Sequence, residues 1–347
     1  MTPSLLPAPA RSWLRPLGWT LALTAGALLV AVAGLMTGTR SLTPSALVSI
    51  LLSPDDRIDS ILVWTLRLPR SLAAFVGGAG LGVSGFLLQT LTRNPLAGPG
   101  LTGVSSGAVA AIVFCFVFLP RLSPACYPLI GMAGGLAAAV VTFWIAHGPS
   151  GRSRSLHLAL GGISVSMLLS AVTTYIMMRS GAQVKSLLFW LSGGFQGRSW
   201  SHLAYMTPWV AAGIAGALVC RRVIGLMTLS DEAAAGMGIR LAFWKPVLLV
   251  LAVLPVAGVT PVAGPVTFVG LVSPHIARFL KPGGPGWTIG FAATIGGFTT
   301  VAADIVARTV ALPRELPVSI VAALVGGPVF IYLIQSKSLA FRGEAAT

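Results

Sequence analysis

The sequence predicts an all-α integral membrane protein with about ten transmembrane helices. Hydrophobic residues make up 55% of the 347 and charged residues only 9%, against roughly 25% charged in a soluble domain. The apolar residues fall in long unbroken runs, with the basic residues between them. In lipid the backbone must satisfy its own hydrogen bonds, which leaves helices or closed barrels. A barrel would show alternating segments of about ten residues; continuous runs select helices. No linker or soluble domain interrupts the pattern, so residues 1–347 form one membrane domain. It has a short polar N-terminal segment of about 1–16 and a polar loop of about 221–245.

A helix of ~20 residues crosses the ~30 Å hydrocarbon core. The runs and their polar breaks give ten spans: Trp19–Met36, Leu68–Leu91, Leu101–Leu119, Tyr127–Ala146, Leu158–Met178, Leu203–Val219, Pro246–Gly258, Val266–Phe279, Ile289–Arg308 and Val318–Ile334. The two between 246 and 279 are short. With both termini cytoplasmic, 13 of the Lys and Arg residues fall inside and 10 outside, a small bias of the expected sign. That orientation leaves many arginines facing outward.

The net charge of +15 does not point to nucleic acid, because the basic residues form no aromatic-interleaved face. Arg11 and Arg15 precede the first run as in a signal peptide, but that run is long and has no clear cleavage site, so it reads as an uncleaved span. Cys115, Cys126 and Cys220 have neither metal nor redox spacing.

The richest stretch lies between residues 64 and 110. Arg67-Leu68-Pro69-Arg70 reads as a turn that opens a glycine-rich run, and Arg93-Asn94-Pro95-Leu96 as an elbow that closes it. Gly77, Gly78, Gly82 and Gly85 share neighbouring turns of one helix. Gly78 and Gly82 form a small-xxx-small pair that lets another helix approach closely. Arg67 and Arg70 sit at one mouth and Arg308 at another. They either snorkel to the interface or offer forked donors to an acidic partner. Asp304 precedes Arg308 by one turn, which predicts a local salt bridge. Ala97-Gly98-Pro99 and Ala263-Gly264-Pro265 echo each other before the third and eighth spans, as in an inverted repeat.

Leu229-Ser-Asp-Glu-Ala-Ala-Ala-Gly-Met-Gly-Ile-Arg240 predicts a short helix outside the membrane. Ser230 is the candidate cap, Asp231 and Glu232 suit the positive helix end, and Gly236 and Gly238 terminate it. Its position suggests a contact element for a cytoplasmic partner. His147, His157, His202 and His275 are scattered, and His275 reads as structural. There is no Walker motif, nucleophile–base pair or cofactor loop, so the chain is not expected to be an enzyme.

Five motifs in order resemble the permease subunits of the iron-siderophore, haem and cobalamin ABC importers (type II importers). They are RLPR at 67–70, SGFLLQTLTRNPLAGPGLTGVSSG at 84–107, FWLSGGFQGRSW at 189–200, AGPVTFVGLVSPHIAR at 263–278, and ADIVAR at 303–308 followed by ELPVSIVAALVGGPVF at 315–330. The resemblance implies a ten-helix inverted-repeat permease in a bacterial cytoplasmic membrane. It implies a second permease subunit, identical or paralogous, two cytoplasmic ATPase subunits that carry the ATP-Mg, and a periplasmic or surface-tethered binding protein. It further implies that Arg67, Arg70 and Arg308 dock glutamates of the binding protein. The coupling helix would be about Leu229–Leu241, with Asp231, Glu232, Ala235, Gly236 and Gly238 as contacts. The cytoplasmic gate would lie at Arg154-Ser155-Leu156-His157, centred on Ser155 and Leu156, although this segment departs from the small hydroxyl pair of the cobalamin permease. No bound cofactor or nucleic acid is expected. Ferric siderophore is the first-choice cargo, with haem or cobalamin as the alternative. A stand-alone proton-coupled transporter is the competing class, and Asp304 is the only acid in a predicted span that could serve it.

Overall fold

The computed structural model describes residues 14–38, 40–146, 154–181, 184–229, 231–280, 283–311, 314–328 and 331. Among them are helices and no strand. They are α1 (Leu14–Met36), α2 (Pro44–Leu52), α3 (Ile58–Ile61), α4 (Leu68–Thr92), α5 (Val104–Phe118), α6 (Tyr127–Ile145), α7 (Arg154–Met178), α8 (Val184–Leu191), α9 (Trp200–Val219), α10 (Arg221–Met227), α11 (Asp231–Gly236), α12 (Leu241–Ala263), α13 (Phe268–Phe279), α14 (Pro285–Thr309) and α15 (Val318–Pro328). Seven helical segments are long and apolar enough to cross a membrane, and α5 and α15 are shorter apolar helices. With the short α13, the ten predicted spans correspond to α1, α4, α5, α6, α7, α9, α12, α13, α14 and α15.

Two expectations need correction. The Arg67–Arg70 segment is not a turn. A π-helical stretch, Leu62–Arg67, joins α3 to α4 without a break. Pro69 has no N–H, and its ring crowds the carbonyl four residues back. The wider turn absorbs this, with the Leu68 N–H reaching the Val63 carbonyl. Helix α12 is not a short span ending at Gly258; it runs for 23 residues through Pro246, Pro255 and Pro261. Prolines are tolerated in membrane-spanning helices, and α12 is tied to its neighbour along the way, Ser84 Oγ on α4 donating to the Ala252 carbonyl at 2.6 Å. The chain turns only after Pro261, at Gly264, whose φ of 68° is left-handed.

Helix α4 is the axis of the molecule, buried along most of its length and packed against α9, α12, α13 and α14. Its contact with α14 is antiparallel and backbone-close. A Cβ on Gly82 would overlap the Ala292 carbonyl oxygen, and one on Gly78 the Gly296 carbonyl oxygen. The reverse holds too, since a Cβ on Gly296 would strike the Gly78 carbonyl oxygen. Gly85 meets the Gly270 carbonyl of α13 in the same way. Around this centre, α5 packs on α6, α7 and α12, and α1 on α14. The echoed tripeptides hold equivalent places, each just before a short helix (α5 and α13).

Gly82→Val should lower the unfolding midpoint in detergent and the yield of monodisperse protein, as overpacking of about 1–3 kcal/mol would do. Gly290 has nothing within 4 Å of an added Cβ, so Gly290→Ala on the same helix pair should be neutral in the same assay.

Candidate functional site

The seam between α4 and α14 fixes what stands at its end. Its contacts step by four in opposite directions, Gly82 against Ala292 and Gly78 against Gly296. Eight residues further on each helix, Arg70 meets Asp304. Arg70 Nε and Nη2 both lie 2.9 Å from Asp304 Oδ1, and Arg70 Nη1 donates to both oxygens of Glu315 at 2.9 and 3.0 Å. Arg308 Nη2 donates to Asp304 Oδ2 at 2.8 Å and to Ser71 Oγ at 3.3 Å, and its Nη1 to the Gly34 carbonyl at 3.1 Å. Arg67 donates to the Leu35 carbonyl at 2.6 Å and to the Arg40 carbonyl.

The three arginines do not snorkel. Arg67, Arg70 and Arg308 are 6%, 8% and 4% exposed, over a fully buried Asp304. They edge a cavity of about 270 Å³ together with Arg198 and Glu315. Four guanidiniums against two carboxylates leave the cluster with two uncompensated positive charges. The Nε–H groups of Arg198 and Arg308 are buried with no acceptor among the described residues. Burial lowers the pKa of Arg198 from its ordinary value, although the residue as a whole is half-buried, and its one hydrogen-bond contact among the described residues is His202 Nε2 at 3.5 Å. A buried charge short of partners is costly, and an added carboxylate would relieve it.

Sequence reasoning singled out neither Glu315 nor Arg198, although both stand inside quoted motifs. The signal was there: the chain has only eight acids, and one of them flanks an apolar helix.

The other predicted site lies at the opposite end of α4. Helix α11 is one short turn-and-a-half, Asp231–Gly236, rather than a helix reaching Leu241. Gly238, at φ 84°, stops it: the Ile239 N–H bonds the Ala234 carbonyl and the Gly238 N–H the Ala235 carbonyl, the paired bonds of a Schellman end. Gly236 is the last helical residue. Leu229, Glu232, Ala235, Gly236 and Gly238 are exposed, and Ala234 is buried. Asp231 accepts from Arg93 Nη2 at 2.7 Å and from Lys245 Nζ at 2.8 Å. The candidate cap Ser230 lies outside the described residues. So do the side chains of the gate candidates Ser155 and Leu156, which fall in the first turn of α7.

This arrangement is that of a multi-pass membrane transport permease, with the fold of an ABC importer permease. The chain belongs to the FecCD transport family, which it matches over residues 26–336. It is similar to the Fe(3+)-citrate import system permease protein YfmD of Bacillus subtilis, 37% identical over 81% of this chain and 83% of that one. It also resembles the cobalamin import system permease protein BtuC of Halobacterium salinarum, 35% identical over 80% of this chain and 74% of the relative. A solved structure described as an inward-facing metal-chelate type ABC transporter superposes with a TM-score of 0.77 at 27% identity, covering 92% of this chain and 99% of the other.

Asp304→Ala would leave buried Arg308 without a carboxylate and Arg70 with Glu315 alone. It should destabilise the protein by about 3–5 kcal/mol, read as a large drop in the unfolding midpoint. Glu315, with its more exposed side chain, should cost far less when changed to Gln.

Proposed function

We propose that this chain is the membrane-spanning half of an ATP-driven importer for a ferric siderophore. A second permease subunit completes the pathway, two cytoplasmic ATPases supply the drive, and an external binding protein delivers the cargo. The observation that supports delivery is the cationic cavity at the α4–α14 end. It faces outward in this reading, and a glutamate of the binding protein enters it to meet Arg67, Arg70, Arg198 and Arg308. The opposite end of α4 then lies in the cytoplasm with both termini, in a bacterial cytoplasmic membrane. There the exposed face of Leu229, Glu232, Ala235 and Gly238 seats in the ATPase, which binds the ATP-Mg.

Chelated iron as cargo draws on the citrate permease relative; the cobalamin permease relative supports cobalamin as the second reading. A proton-coupled carrier is disfavoured. Asp304 is fully buried with both its oxygens engaged, by Arg70 and by Arg308, which suits a structural ion pair and not a proton carrier.

Arg198 can be removed without orphaning a carboxylate, so it tests docking cleanly. Arg198→Glu should weaken binding-protein affinity at least tenfold, about 1.4 kcal/mol or more, and cut uptake of loaded siderophore accordingly. Assembly with the ATPase should stay as in the wild type, and the unfolding midpoint should not fall, because a carboxylate at this position offsets the cluster's excess positive charge. Unchanged affinity would remove the docking role.

A further inference from the structure

We infer that Asp231 works inward rather than as an ATPase contact, and that Arg93 is a positioning residue that carries the movement of α11 to α4. The inference rests on the importer reading above and deepens it. Asp231 opens α11, and its two oxygens are taken by different elements. Oδ1 receives Arg93 Nη2 at 2.7 Å, and Oδ2 receives Lys245 Nζ at 2.8 Å. Arg93 is the residue that ends α4, and Lys245 lies in the first turns of α12. One carboxylate therefore joins the end of the central helix, the short helix beside it and the start of the next crossing.

The backbone at Arg93 is informative. It is the only non-glycine residue with positive φ among the described residues, at φ 51° and ψ 31°. The left-handed region is unfavourable for a side chain with a Cβ and is the ordinary place for glycine at a helix end. An arginine kept there is explained by use of its side chain. Stability does not account for it, since Arg93 and Asp231 are more than a quarter exposed and exposed pairs contribute little. Geometry does. The last turns of α4 are also held by α13, where Gln89 Nε2 donates to the Leu271 carbonyl at 3.1 Å and Arg278 Nη1 donates to Gln89 Oε1 at 2.5 Å. A displacement of α11 reaches α4 through Arg93, and α4 takes α13 and α14 with it. Glu232, exposed on α11, remains for the ATPase.

Arg93→Gly is the informative variant, because glycine keeps the left-handed elbow and removes only the tie. Asp231→Asn and the double variant complete a cycle. The full transporter, with its ATPase and loaded binding protein, is reconstituted in vesicles, and siderophore moved per ATP hydrolysed is measured. Each single variant should assemble with the ATPase as the wild type does and should lose at least fivefold in that ratio. The double variant should lose no more than the worse single one, because a shared link is lost once. Glu232→Lys should instead reduce assembly.

A wild-type ratio in Arg93→Gly, or losses that multiply in the double variant, would overturn the inference. Loss of assembly in Asp231→Asn would return Asp231 to the ATPase interface and overturn it as well. Failure of the importer reading itself looks different: the wild-type chain would then bind no ATPase, or would take up siderophore without ATP.

Discussion

The backbone contact between α4 and α14 is the constraint on which the rest depends. Two helices with side chains at Gly78, Gly82 and Gly296 could not approach this closely. Lipid offers no hydrophobic force to join helices, so close packing and interhelical polar contacts must do it. The glycines supply the first and thereby set the second. Once the seam is in register, Arg70 and Asp304 come opposite each other with no freedom left. An acid fully removed from water survives there because two guanidiniums already wait for it. Slipping the seam by one turn would part Arg70 from Asp304 and leave the buried acid with Arg308 as its one guanidinium partner, a costly loss for a buried charge. Register and charge thus enforce one another.

This seam also separates the two working ends. At one, the cluster is over-supplied with positive charge and has buried donors to spare, which suits an incoming carboxylate. At the other, an exposed short helix is tied by Asp231 to the elbow of α4. The span between them joins the glycine seam to a closely packed core of larger side chains, Leu81, Phe86, Leu87 and Phe291 among them. Such a core transmits displacement as a whole instead of dissipating it, because packed interiors are stiff.

How much of this was legible in the sequence depends on the range of each contact. Gly78 and Gly82 announce a close partner at four-residue spacing, and Asp304 with Arg308 is an i,i+4 pair. Both are local patterns. The partner of the glycine face, more than two hundred residues away, carries no local mark, and neither does the Arg70–Asp304 contact that follows from it. Asp231 reads as an outward acid on an exposed helix because Arg93 is 138 residues distant. Two boundaries were misplaced. The segment Arg67–Arg70 reads as a turn and Gly258 as the end of a short span, but a π-helical stretch carries the first helix on and α12 continues to Ala263. Gly238 was the better guide, since a left-handed residue does end the helix there.

The central claim is that α4 and α14 form one rigid frame that moves as a unit while the transporter cycles. The direct measurement is a spin-label distance between Leu72 on α4 and Gly290 on α14, taken in the assembled transporter with and without trapped ATP. Both positions are exposed, so the labels do not enter the seam. The account predicts one narrow distance that is the same in both states. A shift approaching one helical turn, about 5.4 Å, or a second population on ATP binding, would contradict it.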